Sequence, residues 1–432
     1  MRSIRQPAAV ALAAALLAGS SATAFGQDAS GSPAALPQFP GVTLNLASQS
    51  DQFAAVLQQL APDFEAATGA KVVVDILGYP ELYSKATADF VGHTGNYDLV
   101  TTDIVWTGEF AENGYTVDLK PLIDRDAAEI GVDDIYPVAW TLGGWGDQQI
   151  AYPLAGYANL LNYRQDLFDA AGIAAPTTMD ELKAAAQQLT DPSKTQYGIT
   201  INGPTGAAGA QDWMAYNAQL GGKLLDDAGK PTLNSAANVA NLDFFKSLFD
   251  YAPPGAFDYD WGARETSFKN GTAAMQEGWS VARSGYDDAS QSDIAGKVGT
   301  IQAPTAAGMD PTYGFGGWGI AINKDSTNQD AAWAFIKWVT SPEVQKTWVQ
   351  DGSGSYIRKS TLADPDLLAA YPWQSMIAAS FENGDGDYRP RIPQYSRIQD
   401  ALGIAVNQAL HGEKTSQEAL DEAQAAVEPL FP

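Results

Sequence analysis

The chain has 432 residues, enough for about two or three domains of ordinary size. Hydrophobic residues make up 45% of it and charged residues only 18%, and its formal net charge is −26. An acidic surface of this kind repels nucleic acid and anionic lipid, so we expect neither as a partner. Cysteine is absent, which excludes disulfides, thiol catalysis and thiolate metal sites.

Residues 1–26 have the pattern of a secretory signal peptide. MRSIRQ carries two positive charges, AAVALAAALLAG is an apolar run, and SSATAFGQ offers cleavage after Ala24 or Gly26. The apolar run is shorter than the about 20 residues of a membrane helix. We therefore predict export to the periplasm. Residues 27–40 are small, polar and Pro-containing, which predicts a flexible lead-in, and the missing cysteine argues against a lipoprotein.

Strand-like and helix-like patterns alternate from residue 41 onward. GVTLNLAS, KVVVDIL and YDLVTTD read as strands, and the segments between them carry apolar residues at helical spacing. Strands joined by such helices form a mostly parallel sheet with helices on both faces. Ligands of these sheets bind beyond the carboxyl ends of the strands. Residues 48–51, 78–79 and 103–106 follow the three strands and are therefore the first candidates for ligand contact.

The alternation starts again in the middle of the chain. QQIAYPL, YANLLNYR and YGITING predict strands, and the capping box TMDE at 178–181 opens a helix. TAAMQEGW predicts a short strand that ends on Trp279, and TSQE at 415–418 is a second capping box, opening the last helix. The fold class is therefore α/β.

Metal and cofactor chemistry find little support in the composition. The chain has two histidines, His93 and His411, and lacks an HExxH motif and any cysteine spacing. NGDGD at 383–387 alternates oxygen ligands that suit calcium, but it lacks the rest of an EF-hand loop. We interpret it as a solvated turn and expect no metal and no cofactor.

A secreted glycoside hydrolase is the enzymatic alternative. Such an enzyme needs two carboxylates about 5 to 9.5 Å apart across a sugar. Asp51, Asp103, Glu109 and Glu277 all lie near predicted strand ends, so this alternative stays open. Against it, none of these acids has a sequence context that is apolar enough to raise its pKa.

Eight segments in the same order resemble the extracellular solute-binding proteins of bacterial ABC importers, specifically the large carbohydrate-binding group that contains maltose- and trehalose-binding proteins. They cover nearly the whole chain after the signal peptide. The segments are FEAATG, YDLVTTDIVW, IAYP, NYRQDLFDAAGI, PTTMDEL, FKNGTAAM, GGWGIAI and AWAFIKW.

The resemblance implies the two-lobe periplasmic-binding-protein fold, with a hinge and a ligand cleft between the lobes. By analogy the chain crosses between the lobes near Pro153, Trp279 and Gly317. Lobe 1 would comprise residues 41–155 and 280–317, and lobe 2 would comprise residues 156–279 and 318–432.

The implied function is the substrate-binding part of an ABC transporter, not an enzyme. The protein would capture a mono- or disaccharide, or a related sugar derivative or polyol, by lobe closure. It would then deliver this ligand to a membrane permease, acting as a monomer. A sensory sugar-binding module on the same fold is a further alternative.

The resemblance also assigns candidate ligand contacts, residue by residue. At Tyr157 the trehalose-binding relatives carry an acid, which leaves the identity of the sugar open. Gln49, Asp51 and Arg391 are plausible additions to the matched positions. The matched positions are Asp103, Tyr157, Trp279, Gly317, Trp318 and Arg389.

A sugar site needs flat rings and planar polar groups whatever the family. Sugars have apolar CH faces that stack on indoles and hydroxyls that bind carboxylates or guanidinium groups. Trp279 and Trp318 would stack, Asp103 would accept hydroxyl protons, and Arg389 would donate. The plain alternatives are core packing for the two tryptophans and a helix cap for Asp103. Arg389 and Arg391 would also suit the carboxylate or sulfonate of a charged sugar.

Overall fold

The computed structural model describes residues 36–309, 313–350, 354 and 356–431. The predicted signal peptide, and the lead-in as far as residue 35, lie outside these described residues. No helix within the described ranges combines the length and the apolar character that a membrane crossing requires. The chain from Pro37 onward packs as one unit, so the lobe boundaries given above stay a prediction.

Helices and strands alternate as the sequence predicts, and both capping boxes, at Thr178 and Thr415, are present. The strands are β1 Thr43–Gln49, β2 Lys71–Leu77, β3 Leu99–Asp103, β4 Gly144–Trp145, β5 Gln148–Gln149, β6 Tyr152–Arg164, β7 Met275–Trp279, β8 Val298–Gln302, β9 Tyr313–Ile322 and β10 Gly384–Asp385. The helices are α1 Gln52–Thr68, α2 Tyr79–Gly92, α3 Thr107–Asn113, α4 Lys120–Arg125, α5 Ala127–Ile130, α6 Gln165–Ala171, α7 Met179–Gln188, α8 Ala207–Gln219, α9 Ala236–Leu248, α10 Trp261–Lys269, α11 Ser284–Asp287, α12 Gln329–Val339, α13 Pro342–Gln350, α14 Lys359–Leu362, α15 Pro365–Ala370, α16 Gln374–Glu382, α17 Tyr395–Leu410 and α18 Ser416–Val427.

The first three long strands form a parallel sheet, in which β1 lies between β2 and β3. Their carboxyl ends therefore meet at one edge, where Gln49 and Asp103 end β1 and β3. β9 runs antiparallel to β3 and places Trp318 directly opposite Asp103. The pairing brings together two residues that are far apart in the sequence.

Strand β6 connects two regions of sheet. Its first half, Tyr152 to Ala158, pairs with β9, and its second half, Asn159 to Arg164, pairs with β7 and β8. All of its residues except Arg164 are buried, as expected of a strand that is covered on both faces. This change of partners explains why the sequence pattern of alternating strands and helices begins afresh near residue 150.

The strand predicted for YGITING forms only isolated bridges, from Tyr197 to Ala273 and from Thr200 to Gln276. Between these bridges the backbone N–H groups of Gly198 and Ile199 both donate to the carbonyl of Tyr251 instead of to β7. The competing acceptor interrupts the ladder, which a local pattern of apolar residues does not reveal.

Candidate ligand-binding site

A cavity of about 390 Å³ lies beyond the carboxyl ends of β1 and β3. Its walls come from sequence-distant segments that the sheet topology brings together. Eight of the nine residues predicted as ligand contacts line it: Gln49, Asp51, Asp103, Tyr157, Trp279, Gly317, Trp318 and Arg389.

Arg391 is the ninth predicted contact, and it lies outside this cavity. Its guanidinium pairs with Asp387 at 2.7 Å and donates to the backbone carbonyls of Thr141 and Gly144. It lines a separate cavity beside α4. We therefore leave Arg391 out of the contacts proposed below.

The segment NGDGD is held together by internal contacts. Oδ1 of Asp385 accepts the backbone N–H of Asp387 at 2.7 Å, and Asp387 in turn pairs with Arg391. Nowhere in the described ranges do three His, Asp or Glu side chains converge in a way that could hold a metal ion.

Asp51 combines a structural contact with a place on the cavity wall. Its Oδ1 accepts the backbone N–H of Gln52 at 2.6 Å, which caps α1, and its Oδ2 accepts the hydroxyl of Tyr157 at 3.0 Å. Burial raises the pKa of Asp51 to about 6, and both hydrogen bonds act against that rise. The carboxylate is thus ionised at neutral pH.

Asp103 ends β3 and faces two partners from distant segments. Its Oδ2 accepts the hydroxyl of Tyr79 at 2.9 Å, and its Oδ1 lies 4.0 Å from Nη2 of Arg389. Oδ1 also accepts the backbone N–H of Val105 at 3.4 Å, so the helix-cap interpretation holds as well. Burial raises the pKa of Asp103, and the charge of Arg389 lowers it.

Arg389 is 2% exposed and lies against the ring of Trp279, with its Cζ 5.5 Å from the ring centroid. A guanidinium over an indole is a favourable cation–π arrangement, and burial strengthens it. Because Asp103 lies 4.0 Å from its Nη2, Arg389 is close to both an acid and a ring of the same wall. Its planar donors are therefore held in a fixed orientation at the cavity.

Trp318 belongs both to the cavity wall and to a cluster of packed rings. Its ring centroid lies 5.6 Å from that of Trp106, 6.0 Å from Tyr79 and 6.2 Å from Phe53. Only 6% of the residue is exposed. The core-packing interpretation is therefore partly right for Trp318, which offers the cavity one small part of its surface.

The glycines around Trp318 are required by the backbone and by the neighbouring side chains. Gly317 has a φ of +132°, and a Cβ there would lie 2.0 Å from the carbonyl oxygen of Ala155 on β6. A Cβ on Gly316 would lie 2.7 Å from both Arg389 and Trp279. Small residues at these positions let β6, the guanidinium and the indole come together.

Further residues line the cavity beside the nine listed contacts: Tyr79, one of the strand-end candidates, and Gln211, Trp261 and Glu265, which the sequence did not single out. Tyr79 follows β2, so the rule of strand ends does point to it. Gln211 and Trp261 lie on helices, and no local pattern identifies them. Oε1 of Gln211 accepts the indole N–H of Trp261 at 2.6 Å and that of Trp279 at 3.3 Å.

The prediction that no candidate acid has a raised pKa is wrong. Glu277 is 4% exposed, and burial raises its pKa to about 8. Burial also raises the pKa of Asp51 and of Asp103. These shifts arise from residues packed around each acid in space, which the sequence context does not show. Glu277 itself bonds Gln219 at 2.5 Å and is not part of the cavity wall.

Known proteins that are similar to this chain in sequence or structure bind ribitol, maltose or mannitol. A solved ABC transporter solute-binding protein from Agrobacterium radiobacter K84, in complex with ribitol, is 53% identical; the match covers 91% of this chain and 100% of that one, with a TM-score of 0.89. A maltose-bound protein of Thermotoga maritima is 26% identical over 90% of this chain and 100% of that one, with a TM-score of 0.81. The mannitol-binding protein of Pseudomonas aeruginosa is 30% identical over 79% of this chain and 82% of its own length.

These findings confirm the predicted fold class and the resemblance seen in the sequence. The similar proteins are two-lobe solute-binding proteins of ABC transporters, and the hydrolase alternative is not favoured. Residues 47–346, more than half of the chain, match the family described as bacterial extracellular solute-binding protein, and the chain belongs to that family.

Proposed function

We propose that this protein captures a short acyclic polyol of the ribitol class and delivers it to an ABC permease. The observation that carries the proposal is that Trp279 and Trp318 line the same cavity as Asp51, Asp103 and Arg389. The similar protein of Agrobacterium radiobacter K84, 53% identical, was solved with ribitol bound.

The chemistry of the wall suits a chain of hydroxyl-bearing carbons. Each polyol hydroxyl both donates and accepts, so it can bind a carboxylate and a guanidinium at once. Asp51 and Asp103 would accept hydrogen bonds from the ligand hydroxyls, and Arg389 would donate hydrogen bonds to their oxygens. The indoles of Trp279 and Trp318 would cover the CH groups between the hydroxyls.

The size of the cavity favours a small ligand. Its volume of about 390 Å³ lies near the lower end of the range of about 300 to 1,000 Å³ that is typical of ligand pockets. Tyr157 lines the cavity and bonds Asp51 there, so its phenol ring takes up space in the wall. We infer that a polyol or a single sugar fits better than an oligosaccharide.

The charge of the wall disfavours an anionic ligand. Three acidic side chains line the cavity, those of Asp51, Asp103 and Glu265, against the guanidinium of Arg389, and burial raises the pKa of all three. Arg389 already faces Asp103 at 4.0 Å, so little of its positive charge remains for a carboxylate or sulfonate on the ligand. This argues against the charged sugar that the arginines by themselves would allow.

Closure of the lobes would couple binding to transport. The hydrogen bond from Tyr157 to Asp51 and the ring contact of Tyr79 with Trp261, at 6.3 Å, both join residues of the two predicted lobes. A ligand that contacts both walls favours the closed state, because the open state offers it fewer contacts. The permease would then recognise the closed form.

Calorimetry against ribitol, D-mannitol, erythritol and maltose tests the proposal. We expect saturable binding to one site, tightest for ribitol and weakest for maltose. Native mass spectrometry of freshly purified protein provides an independent check for a co-purified polyol. Failure to bind any of the four compounds would overturn the proposal.

The remaining parts of the proposal have their own tests. As a carrier and not an enzyme, the protein should return aryl glycosides and oligosaccharides unchanged after prolonged incubation. Export to the periplasm predicts that the mature protein has lost residues 1–24 or 1–26, which intact-mass measurement resolves. Light scattering should give the mass of a monomer.

A further inference from the structure

A single oxygen atom of Gln211 holds two indole groups in the cavity wall. Oε1 accepts the N–H of Trp261 at 2.6 Å and the N–H of Trp279 at 3.3 Å. An indole nitrogen only donates, so the side-chain atom that faces both rings has to be the amide oxygen. The two tryptophans thereby fix which way the amide is turned.

The amide nitrogen of Gln211 is consequently directed away from the indoles. Gln211 lies on α8, one turn after Ala207, and both residues line the cavity. Within the described part of the chain, no residue accepts a hydrogen bond from its Nε2, although the residue is only 8% exposed. The nitrogen atom itself is not fully buried and is therefore accessible from the cavity that Gln211 lines, where a ligand oxygen can accept its hydrogen bond.

The position of Gln211 is secured by the neighbouring residue. Asp212 accepts two hydrogen bonds from Nη1 of Arg264, at 2.9 and 3.0 Å, and both side chains are buried. Arg264 lies on α10, the helix that begins with Trp261. Because this ion pair ties α8 to α10, the spacing between Gln211 and Trp261 is fixed by the protein before any ligand arrives.

The cavity wall has more acidic side chains than cationic ones. The acids are Asp51, Asp103 and Glu265, and the guanidinium of Arg389 lies 4.0 Å from Asp103. A ligand hydroxyl that donates its hydrogen bond to a carboxylate still has lone pairs, which can accept a hydrogen bond from a donor. An amide donor held at a fixed position would supply one.

We propose that Gln211 is a specificity-determining residue of this site. Its oxygen holds Trp261 and Trp279, and its Nε2 donates a hydrogen bond to one hydroxyl oxygen of the bound polyol. The proposal rests on the proposed function, because it requires a hydroxylated ligand in this cavity.

Two substitutions separate the two roles of the amide. Gln211→Glu keeps an acceptor for both indoles but replaces the donor with a second oxygen. Gln211→Met removes the acceptor and the donor together. We expect Gln211→Glu to weaken ribitol binding at pH 8 by at least about tenfold, the scale of one hydrogen bond, with little change in tryptophan fluorescence. Gln211→Met should weaken binding further and change the fluorescence.

A ligand-side test identifies the hydrogen bond directly. The monodeoxy derivatives of ribitol each lack one hydroxyl. Wild-type protein should bind a derivative more weakly than ribitol wherever the missing hydroxyl makes a polar contact. For one derivative, the loss of affinity relative to ribitol should be smaller in Gln211→Met than in wild type. That derivative lacks the hydroxyl to which the amide donates. This non-additivity measures the coupling between the amide and that hydroxyl.

A matched control checks the effect of added charge. Gln188 is an exposed glutamine on α7 outside the cavity wall, and Gln188→Glu should bind ribitol as tightly as wild type. If wild type binds ribitol and Gln211→Glu binds within about twofold of it, the role of Gln211 is refuted while the proposed function stands. If wild type binds none of the polyols, both proposals fail.

Discussion

The hydroxyl of Tyr157 donates a hydrogen bond to Oδ2 of Asp51 at 3.0 Å, joining β6 to the start of α1. The two residues belong to different predicted lobes. Asp51 also caps α1 through its Oδ1, so the bond from Tyr157 attaches β6 to the first residues of that helix.

Tyr157→Phe should weaken ribitol binding about tenfold at pH 8. The phenylalanine keeps the ring but loses a hydrogen bond to a carboxylate, a contact of about 1.5 kcal/mol or more that helps to hold the lobes together. Calorimetry measures the change. Tyr163→Phe is the matched control, because Tyr163 lies on the same strand and bonds Gln165. Equal affinity of Tyr157→Phe and wild type would contradict a cross-lobe role.

The same contact makes binding depend on pH. Burial raises the pKa of Asp51 to about 6, so the carboxylate is ionised above that value and protonated below it. The charge-assisted bond from Tyr157 should therefore contribute fully above pH 6 and weaken as the pH falls through 6. Affinity measured between pH 5 and pH 8 should show this transition in wild type and lose much of it in Asp51→Asn.

Arg389 and Arg391 are two residues apart but should respond differently to substitution. Arg389→Lys replaces a planar group that lies over Trp279 with a point charge, and we expect at least about a tenfold loss of affinity. Arg391→Lys alters a group that pairs with Asp387 outside the cavity, and affinity should change by less than about twofold. A larger effect from Arg391→Lys would show that Arg391 reaches the ligand after all.

Gly317→Ala should destabilise the fold itself. A Cβ at Gly317 would lie 2.0 Å from the carbonyl oxygen of Ala155, and the φ of +132° disfavours any side chain. Strain and crowding together predict a loss of at least about 3 kcal/mol in the free energy of unfolding. Gly78→Ala is the control, since a Cβ there meets nothing within 4 Å and φ is −65°. Urea denaturation of both variants should separate them clearly.

The sequence identifies cavity residues that follow strands better than cavity residues that lie on helices. Gln49 and Asp103 end parallel neighbouring strands, so the direction of the chain alone places them at one edge of the sheet. Gln211 and Trp261 lie on two helices that the ion pair of Asp212 with Arg264, 52 residues later in the chain, ties together. No local pattern encodes a contact of that separation.

The outcome for Arg391 has a similarly physical explanation. Arg389 and Arg391 flank Pro390 in the irregular segment before α17, where the backbone has no regular period. A spacing of two residues therefore gives no information on which way each side chain points. The raised pKa of Glu277 was missed for a related reason, since burial depends on packing between distant segments.

Glu277 makes the free energy of unfolding depend on pH. Its carboxyl group is buried beside Gln219, and burial raises its pKa from an ordinary value of 4.5 to about 8. Between these two values the folded protein keeps a proton that the unfolded chain has released. Stability should therefore fall as the pH rises from 4.5 towards 8, and the contribution of Glu277 should be constant above that range.

Glu277→Gln removes this dependence, because an amide does not ionise in the range. Relative to wild type, the variant should gain up to about 1.4 kcal/mol in the free energy of unfolding for each pH unit between 5 and 8. Urea denaturation at four pH values measures the difference, and Glu65→Gln on the exposed side of α1 is the control. The high net negative charge of the chain adds its own pH dependence to every variant, so the evidence lies in the difference between profiles. Parallel profiles for wild type and Glu277→Gln would mean that Glu277 is ionised in the folded protein, because the hydrogen bond from Gln219 and the charge of Arg264 outweigh its burial.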